Sequence, residues 1–430
     1  MYKILKDIYW TAVGYFIYRF FLTKSQYWDV EKIKEYQFRK LKKILIEAYE
    51  GVPYYKKHFD EICFNPKINF RSLKDLELIP ILSKSTVKSN IKDFENKKYL
   101  KNSILFRTSG STGHPLEVMV YFKQWILEQG VILRHWKWGG YSFRDPLAMV
   151  RSFVPPNETK LWHTNVISNF TYFSPFHLND ENMARYLDVM IEKKIVVLRG
   201  YPSSIASLAN FVFRTGHNIP KIKLILTASE VLTDHERLVI EKAFKAKVSN
   251  HYGLAEQIVM MGDCDKHEGM HNYDEYGYLE LLDTDIPNIK RIIGTNLHNL
   301  TTPLIRYDTG DLAILADNSC SCGRTLPIVK NIIGRKDAVI KTADGFEIPT
   351  INFYTMLEHF QEIERWQMVQ RTLTEIEFIF TSKDISNQRI DNLKQEINKR
   401  LYGKMIIIIS LNGSFVQKNE GKINPFISFL

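Results

Sequence analysis

Between Glu31 and Glu50 (EKIKEYQFRKLKKILIEAYE) the apolar positions Ile33, Phe38, Leu41, Leu45 and Ala48 recur near helical spacing, with lysine, arginine and glutamate between them. This stripe predicts an amphipathic helix with one face on a core, and Gly51, Val52 and Pro53 end it. The preceding run, Ile8 to Leu22, is apolar and aromatic for most of its length. Arg19 interrupts it, and it falls short of the roughly 20 apolar residues that a membrane-spanning helix needs. A signal peptide is not expected either, because Thr23, Lys24, Ser25 and Gln26 follow without a small-residue cleavage site. A helix packed on its own domain and an interfacial helix making peripheral membrane contact both fit this pattern.

From residue 100 to residue 335 short β-branched runs alternate with helical ones: Ile195 to Leu198 and Lys223 to Thr227 read as strands, Ser203 to Arg214 and Thr233 to Phe244 as helices. This alternation predicts βα units around a largely parallel, buried sheet. After Gly334-Arg335-Lys336-Asp337 come a strand at Ala338 to Lys341, a turn at Asp344-Gly345 and a helix near Ile351 to Phe360. Strands at Ile376 to Phe380 and Met405 to Leu411 follow, with a helix at Ile385 to Leu401 between them. The expected fold is α/β: a large N-terminal domain (1–337) with mixed, mainly parallel sheets flanked by helices, and a small mobile α+β lid domain (338–430). No repeat or low-complexity linker intervenes, so the joint is a short hinge.

Composition adds three constraints. The 430-residue chain is 45% hydrophobic and 25% charged, as folded proteins are, and its length exceeds what a single core normally serves. Its net charge of +10 suits an anionic ligand, but the lysines are spread along the whole chain, which argues against nucleic acid. Four cysteines in a chain this long make no disulfide framework and point to a reducing cytoplasm.

Phe106 to Val118 reads FRTSGSTGHPLEV. Strand-like runs at Ile104 to Arg107 and Leu116 to Phe122 flank it, so it is a strand-loop-strand turn and lacks the Gly-Lys-Ser/Thr ending of a strand-loop-helix phosphate loop. The backbone N–H groups of Ser109, Gly110, Ser111, Thr112 and Gly113, with their hydroxyls, could nest anionic oxygens; an ordinary hairpin turn fits the same composition. Four further stretches carry candidate chemistry: His251-Tyr252-Gly253-Leu254-Ala255-Glu256, Arg306-Tyr307-Asp308-Thr309-Gly310-Asp311, Gly334-Arg335-Lys336-Asp337 and Gly421-Lys422. Each is ordinary alone.

In this order and spacing the five stretches resemble the adenylate-forming superfamily of acyl-CoA synthetases, adenylation domains and luciferases. Within it the likeness is to the phenylacetate-CoA ligase branch, which includes proteins of capsular polysaccharide clusters. Gln37, Val52-Pro53-Tyr54-Tyr55 and Arg199-Gly200-Tyr201-Pro202-Ser203 add to the resemblance, which covers nearly the whole chain. It implies that Ser109 to Gly113 cover the phosphates of ATP, with Thr112 acting in catalysis. Tyr252, beside Gly253, would stack near the adenine, and Glu256 would hold magnesium. Asp311 would accept the ribose hydroxyls, with Arg335 beside it, Asp337 would be the hinge, and Lys422 would reach the carboxylate and the α-phosphate. The family's loop often ends in Pro-Lys; here Leu116 follows Pro115, which removes a charged contact from that position. Phe170, Tyr172, Phe173, Pro175 and Phe176 stand where the family places part of its acyl pocket.

The implied enzyme is an AMP-forming ligase that joins a carboxylate to a thiol, coenzyme A, through an acyl adenylate. An amide ligase using an amine of an amino acid or sugar, and a non-catalytic nucleotide-binding scaffold, are the alternatives. Monomer and homodimer both remain open. The cysteines form a separate constellation: Cys320-Ser321-Cys322-Gly323 presents two thiols, and Cys264-Asp265-Lys266-His267-Glu268-Gly269-Met270-His271 a third thiol and two imidazoles. Three thiols and one imidazole meet the tetrahedral preference of structural zinc, with His267 or His271 as the fourth ligand. The resemblance favours His271. Cys63 has no partner in the pattern and reads as a buried thiol.

Overall fold

The stripe of apolar residues folds as helix α1, Val30–Gly51, whose first turn is capped by Asp29 accepting the Lys32 N–H at 2.8 Å. Its buried face is Ile33, Tyr36, Gln37, Leu41, Ile44, Leu45 and Ala48. The helix stops where expected: Val52 leaves helical geometry, and Pro53, with its fixed φ, opens α2, Pro53–Glu61. A short helix α3, Lys84–Ser89, is capped by Ser83, whose hydroxyl accepts the Thr86 N–H at 3.1 Å. Strands β1 (Ser103–Arg107) and β2 (Glu117–Tyr121) pair antiparallel from Ser103↔Tyr121 to Arg107↔Glu117, so the two strands expected around the Ser/Thr/Gly turn are present. Helix α4, Phe122–Trp138, follows directly.

The next stretch holds the βα units: β3 (Leu147–Val150), β4 (Trp162–Asn165), β5 (Phe170–Phe173), helix α5 (Asp180–Glu192), β6 (Val197–Gly200), α6 (Pro202–Thr215), β7 (Leu224–Ala228) and α7 (Asp234–Phe244). Strands β5, β3, β6 and β7 are parallel neighbours in that order, and β4 lies antiparallel on β5. The strand expected at 195–198 begins two residues later, because Ile195 still donates to Met190 O after Lys194 ends the helix at φ 51. Thr233 and Glu236 form the reciprocal capping box of α7. Val150, Leu198 and Ile225 meet Tyr186, Leu187, Ile205 and Ile240 in one core.

Strands β8 (Val248–Gly253), β9 (Met260–Asp263), β10 (Met270–Asn272), β11 (Gly277–Asp283), β12 (Ile289–Asn296), β13 (Tyr307–Leu315) and β14 (Ile328–Arg335) run in the order β11-β12-β13-β14-β10-β9-β8. The pairs β11/β12, β12/β13, β14/β10, β10/β9 and β9/β8 are antiparallel. The sheet structure is thus mixed: β5, β3, β6 and β7 pair in parallel between residues 147 and 228, where α5 and α6 supply the crossovers into β6 and β7. Where only short connections link successive strands, the chain returns antiparallel, since a parallel return needs roughly a dozen residues or more.

At the C-terminal end β15 (Val339–Lys341) and β16 (Glu347–Pro349) make a hairpin. Strands β17 (Ile363–Gln370), β18 (Glu375–Ser382), β19 (Ile406–Leu411) and β20 (Phe426–Ser428) form a sheet in the order β19-β18-β17-β20. Helix α8, Asn387–Arg400, buries Leu393 and Ile397. The structure, a computed structural model, describes residues 13–107, 116–155, 160–316, 318–335, 339–345, 347–350, 353, 356–357, 360–382, 384–417 and 423–430. The chain divides into two units, Met1–Gly140 with Ser249–Ile332 and Tyr141–Val248 with Ile333–Leu430. The boundary expected at Asp337 falls outside the described residues. Among those described, no helix is long and apolar enough to cross a membrane.

Candidate active site

Tyr252 and Glu256 stand on either side of the turn that leaves β8. The turn is pinned at Gln257, a non-glycine residue at φ 52, whose carbonyl accepts Asn296 Nδ2 at 2.7 Å and Gln124 Nε2 at 3.1 Å. These two amides hold a backbone that is otherwise strained, and so fix where Glu256 points. Glu256 is buried, and its Oε1 accepts the Tyr307 hydroxyl at 3.1 Å and faces Lys84 Nζ at 3.4 Å. Among the described residues both of these contacts fall on Oε1.

Asp311 is placed by an irregularity in β13. Ile293 pairs with Asp308 and Arg291 with Leu312, so Thr309, Gly310 and Asp311 bulge opposite one residue of β12. Gly310 sits at φ +77, the Asp308 carboxylate accepts its N–H at 3.0 Å, and Thr309 Oγ1 accepts the Asp311 N–H at 3.1 Å. A bulge re-aims a side chain, and here it aims Asp311 at Tyr252, whose hydroxyl donates to Oδ2 at 2.7 Å. Burial, and then the Asp311 charge, hold the Tyr252 phenol well above its ordinary range. Two motifs 59 residues apart therefore meet in one hydrogen bond.

Lys84 escaped the sequence reading because a lone lysine in a polar helix carries no signal. Its position follows from the segment before it: Leu82 lies parallel to Tyr307 and exchanges backbone hydrogen bonds of 2.9 Å with Arg306 and Asp308, which carries α3 to the Glu256 carboxylate. Glu230 escaped as well. Its carboxylate accepts the Ser203 N–H and hydroxyl, each at 3.1 Å, and burial pushes it up to about 7 against the opposing Arg365 charge. The signal available was an acid placed just after a buried strand, Thr227-Ala228-Ser229-Glu230. Ser109, Gly110, Ser111, Thr112, Gly113, Asp337 and Lys422 lie outside the described residues, and Arg335 is the last residue of β14.

The cysteine constellation comes together. Ligand atoms of Cys264, His271, Cys320 and Cys322 all lie within 4.8 Å of one another, with Cys264 Sγ to Cys320 Sγ at 3.5 Å and Cys322 Sγ to His271 Nε2 at 3.4 Å. Ligands bound to zinc at sulfur distances stand about 3.8 Å apart in a tetrahedron, so the spacing and the donor set fit that ion. His271 Nδ1 lies 2.9 Å from the Leu326 carbonyl, which can only accept; the proton sits on Nδ1 and Nε2 is free to ligate. His267 instead faces Asp263, at 3.8 Å.

Other quoted residues prove structural. Gln37 donates to the Asp274 carbonyl at 3.1 Å, and the buried Tyr55 hydroxyl accepts the Ile305 N–H at 3.0 Å. A Cβ at Gly200 would lie 2.8 Å from Val150 O, so only glycine fits there. Phe173 is wholly buried beside Tyr186, which makes it core and not pocket wall. Cys63, expected to be buried, is exposed: it follows the C-terminal turn of α2 at φ 53, where its side chain points away from the helix's packed face.

Among solved structures the chain is similar to 2-hydroxyisobutyryl-CoA ligase in the postadenylation state with R3-HIB-AMP, at a TM-score of 0.69 and 16% identity over 94% of this chain and 93% of that one. An open conformation of that ligase, with 2-HIB-AMP and CoA, gives 0.61 at 17% identity, covering 94% and 95%. The chain therefore shares the fold of that ligase. In sequence the chain is 25% identical over 377 residues to phenylacetate-coenzyme A ligase of Thermus thermophilus, covering 81% of each, and 24% identical over 401 residues to Protein CapK of Staphylococcus aureus, covering 88% and 86%. The chain is thus similar to both a phenylacetate-coenzyme A ligase and CapK over most of its length. No protein-family model matches the chain.

Proposed function

We propose that the protein is an ATP-dependent, AMP-forming carboxylate ligase whose acyl acceptor is coenzyme A. The carboxylate attacks the α-phosphate of ATP, pyrophosphate leaves, and the coenzyme A thiol then displaces AMP from the acyl adenylate. The observation that carries this reading is the 2.7 Å contact of Tyr252 with Asp311, an aromatic ring beside a carboxylate that would suit adenine and the ribose hydroxyls. Likeness to phenylacetate-CoA ligases over 81% of the chain supports the thiol as acceptor.

The first step brings two anions together, and at 4 Å each like-charged pair costs about 4 kcal/mol at an effective dielectric of 20. On this reading the amides and hydroxyls of Ser109 to Gly113, with Thr112, cradle the phosphates, and Lys422 places an ammonium between the carboxylate and the α-phosphate. Lys84, beside Glu256, adds a further positive charge. Glu256 would hold magnesium, which would supply neutralisation of the phosphate charge. Arg335, close to the hinge, steadies the ribose. Cys264, His271, Cys320 and Cys322 would hold a structural zinc, which with four protein ligands would pin two loops rather than catalyse.

The second reading is an amide ligase, in which an amine of an amino acid or sugar replaces the thiol. Pyrophosphate release with a carboxylate panel that includes phenylacetate, trapped first with hydroxylamine and then with coenzyme A, separates the readings. Acyl-CoA formation supports the first, hydroxamate without acyl-CoA the second. No turnover with any acid, together with ATP binding unchanged in Lys422→Ala, refutes both and leaves a nucleotide-binding scaffold. The N-terminal segment bears on where the enzyme works. Tyr15, Phe16 and Phe20 are exposed on a helix followed by exposed Tyr27 and Val30, and residues 13–28 hold two basic side chains, Arg19 and Lys24, and no acidic one. This surface suits peripheral docking on an anionic bilayer, and sedimentation with anionic but not zwitterionic vesicles is the expected result.

A further inference from the structure

Glu230 stands two residues past β7, after Ser229, which is held at φ 73, a conformation that residues other than glycine rarely take. Its carboxylate is fixed to the start of α6: Oε2 accepts the Ser203 N–H and Oε1 the Ser203 hydroxyl. Oε1 also accepts the backbone N–H of Ile423 at 3.0 Å, a contact that spans 193 residues. Ile423 follows Lys422 by one peptide bond. A second group from the same C-terminal lobe converges here. Arg365 of β17 lies 3.5 Å from Glu236 and 4.7 Å over the Phe415 ring, and its charge acts on Glu230. Beside these contacts is a cavity of about 290 Å³ lined by Ala206, His235, Glu236, Arg365 and Phe415, so the seam between the lobe and helices α6 and α7 is incompletely filled.

We propose that Glu230 is a positioning residue, a latch whose carboxylate captures the Ile423 N–H and so sets the segment that carries Lys422 for the adenylate-forming step. This rests on the ligase reading, which gives Lys422 its role. The chemistry suits a latch. A carboxylate can accept several N–H and O–H groups at once, and its anchorage at a helix N-terminus keeps it from swinging away. The captured donor is backbone, so the side chain at position 423 is immaterial and the specificity lies in Glu230 and Ser203. Arg365 brings the lobe to the same point by attraction to two acids.

The test pairs amide hydrogen exchange at Ile423 with carboxylate-dependent ATP–pyrophosphate exchange, with phenylacetate as the first acid of a panel, in wild type, Glu230→Gln, Glu230→Ala and Arg365→Ala. Glu230→Ala should speed exchange at Ile423 about tenfold or more and lower kcat of adenylate formation by a similar factor, with a smaller change in KM for ATP. Glu230→Gln, whose amide oxygen still accepts, should keep most of the protection. Acyl transfer from a supplied acyl adenylate should be unchanged, which a merely structural role would not spare. Arg365→Ala should move both readouts in the same direction and serves if Glu230→Ala fails to fold. Equal exchange at Ile423 in wild type and Glu230→Ala, or a loss confined to KM, overturns the latch. A wild-type chain that activates no carboxylate overturns the ligase reading instead, and exchange at Ile423 still decides whether Glu230 holds the segment.

Discussion

Replacing Arg134 by methionine should cost about 3–5 kcal/mol of stability. Arg134 on α4 and Glu275 are both 0% exposed and joined bidentately at 2.7 and 3.2 Å. At that shorter distance the attraction is about 6 kcal/mol at an effective dielectric of 20, but desolvating both ions offsets most of it. The cost of the variant arises from what it leaves behind. Methionine nearly fills the volume, yet the Glu275 carboxylate stays buried with the Ser25 hydroxyl as its remaining side-chain donor. The guanidinium also lies over the rings of Tyr273 at 4.7 Å and Trp138 at 5.3 Å, contacts a thioether replaces only in part. Urea unfolding at low and high salt should give the same loss, because a buried pair is not screened. Arg134→Met with Glu275→Leu should recover most of it, since no unpaired charge then remains. A loss below about 1 kcal/mol in the single variant, or a double variant less stable than the single, would refute the reasoning.

Three other outcomes are expected. Burial, then the neighbouring Glu275 charge, raises the Asp274 carboxyl from 3.8 to about 7, so the folded state holds a proton that the unfolded state releases; stability should fall as pH rises through that window, by on the order of 4 kcal/mol at most. Asp274→Asn should flatten this slope in urea titrations and be the more stable protein above about pH 7, and an unchanged slope would count against the assignment. Metal analysis should find one zinc per chain, lost together with thermal stability in Cys322→Ser, whereas pure wild type without zinc removes the site. Ser111→Ala with Thr112→Ala should slow pyrophosphate release about a hundredfold, as two donors to a charged ligand are lost, and normal release would mean that the Ser/Thr/Gly turn holds no phosphate.

Much of the framework was legible because its causes are local. The stripe of α1, its end before Pro53, the helix from Thr233 to Phe244 and the strands around the Ser/Thr/Gly turn each depend on residues a few positions apart. The antiparallel course of β8 to β14 was less legible, since alternation marks a strand but not its partner. Lys84 carries no motif and gains its place from the bridge of Leu82 to Tyr307, 225 residues away in sequence by their numbers. Cys63 was misjudged because a thiol's usual preference for the interior gave way to the turn geometry at the end of α2.

By itself the sequence determined the residue kinds at each motif, the periods of helix and strand, and the resemblance those motifs carry. Only the tertiary structure decided which groups meet: Tyr252 with Asp311, Glu256 with Tyr307 and Lys84, the Cys264 pair with the Cys320 loop, and Glu230 with Ile423. Periodicity is written by neighbours in the chain, whereas hydrogen bonds, ion pairs and metal spacing depend on distance and burial, which packing sets among residues far apart in sequence.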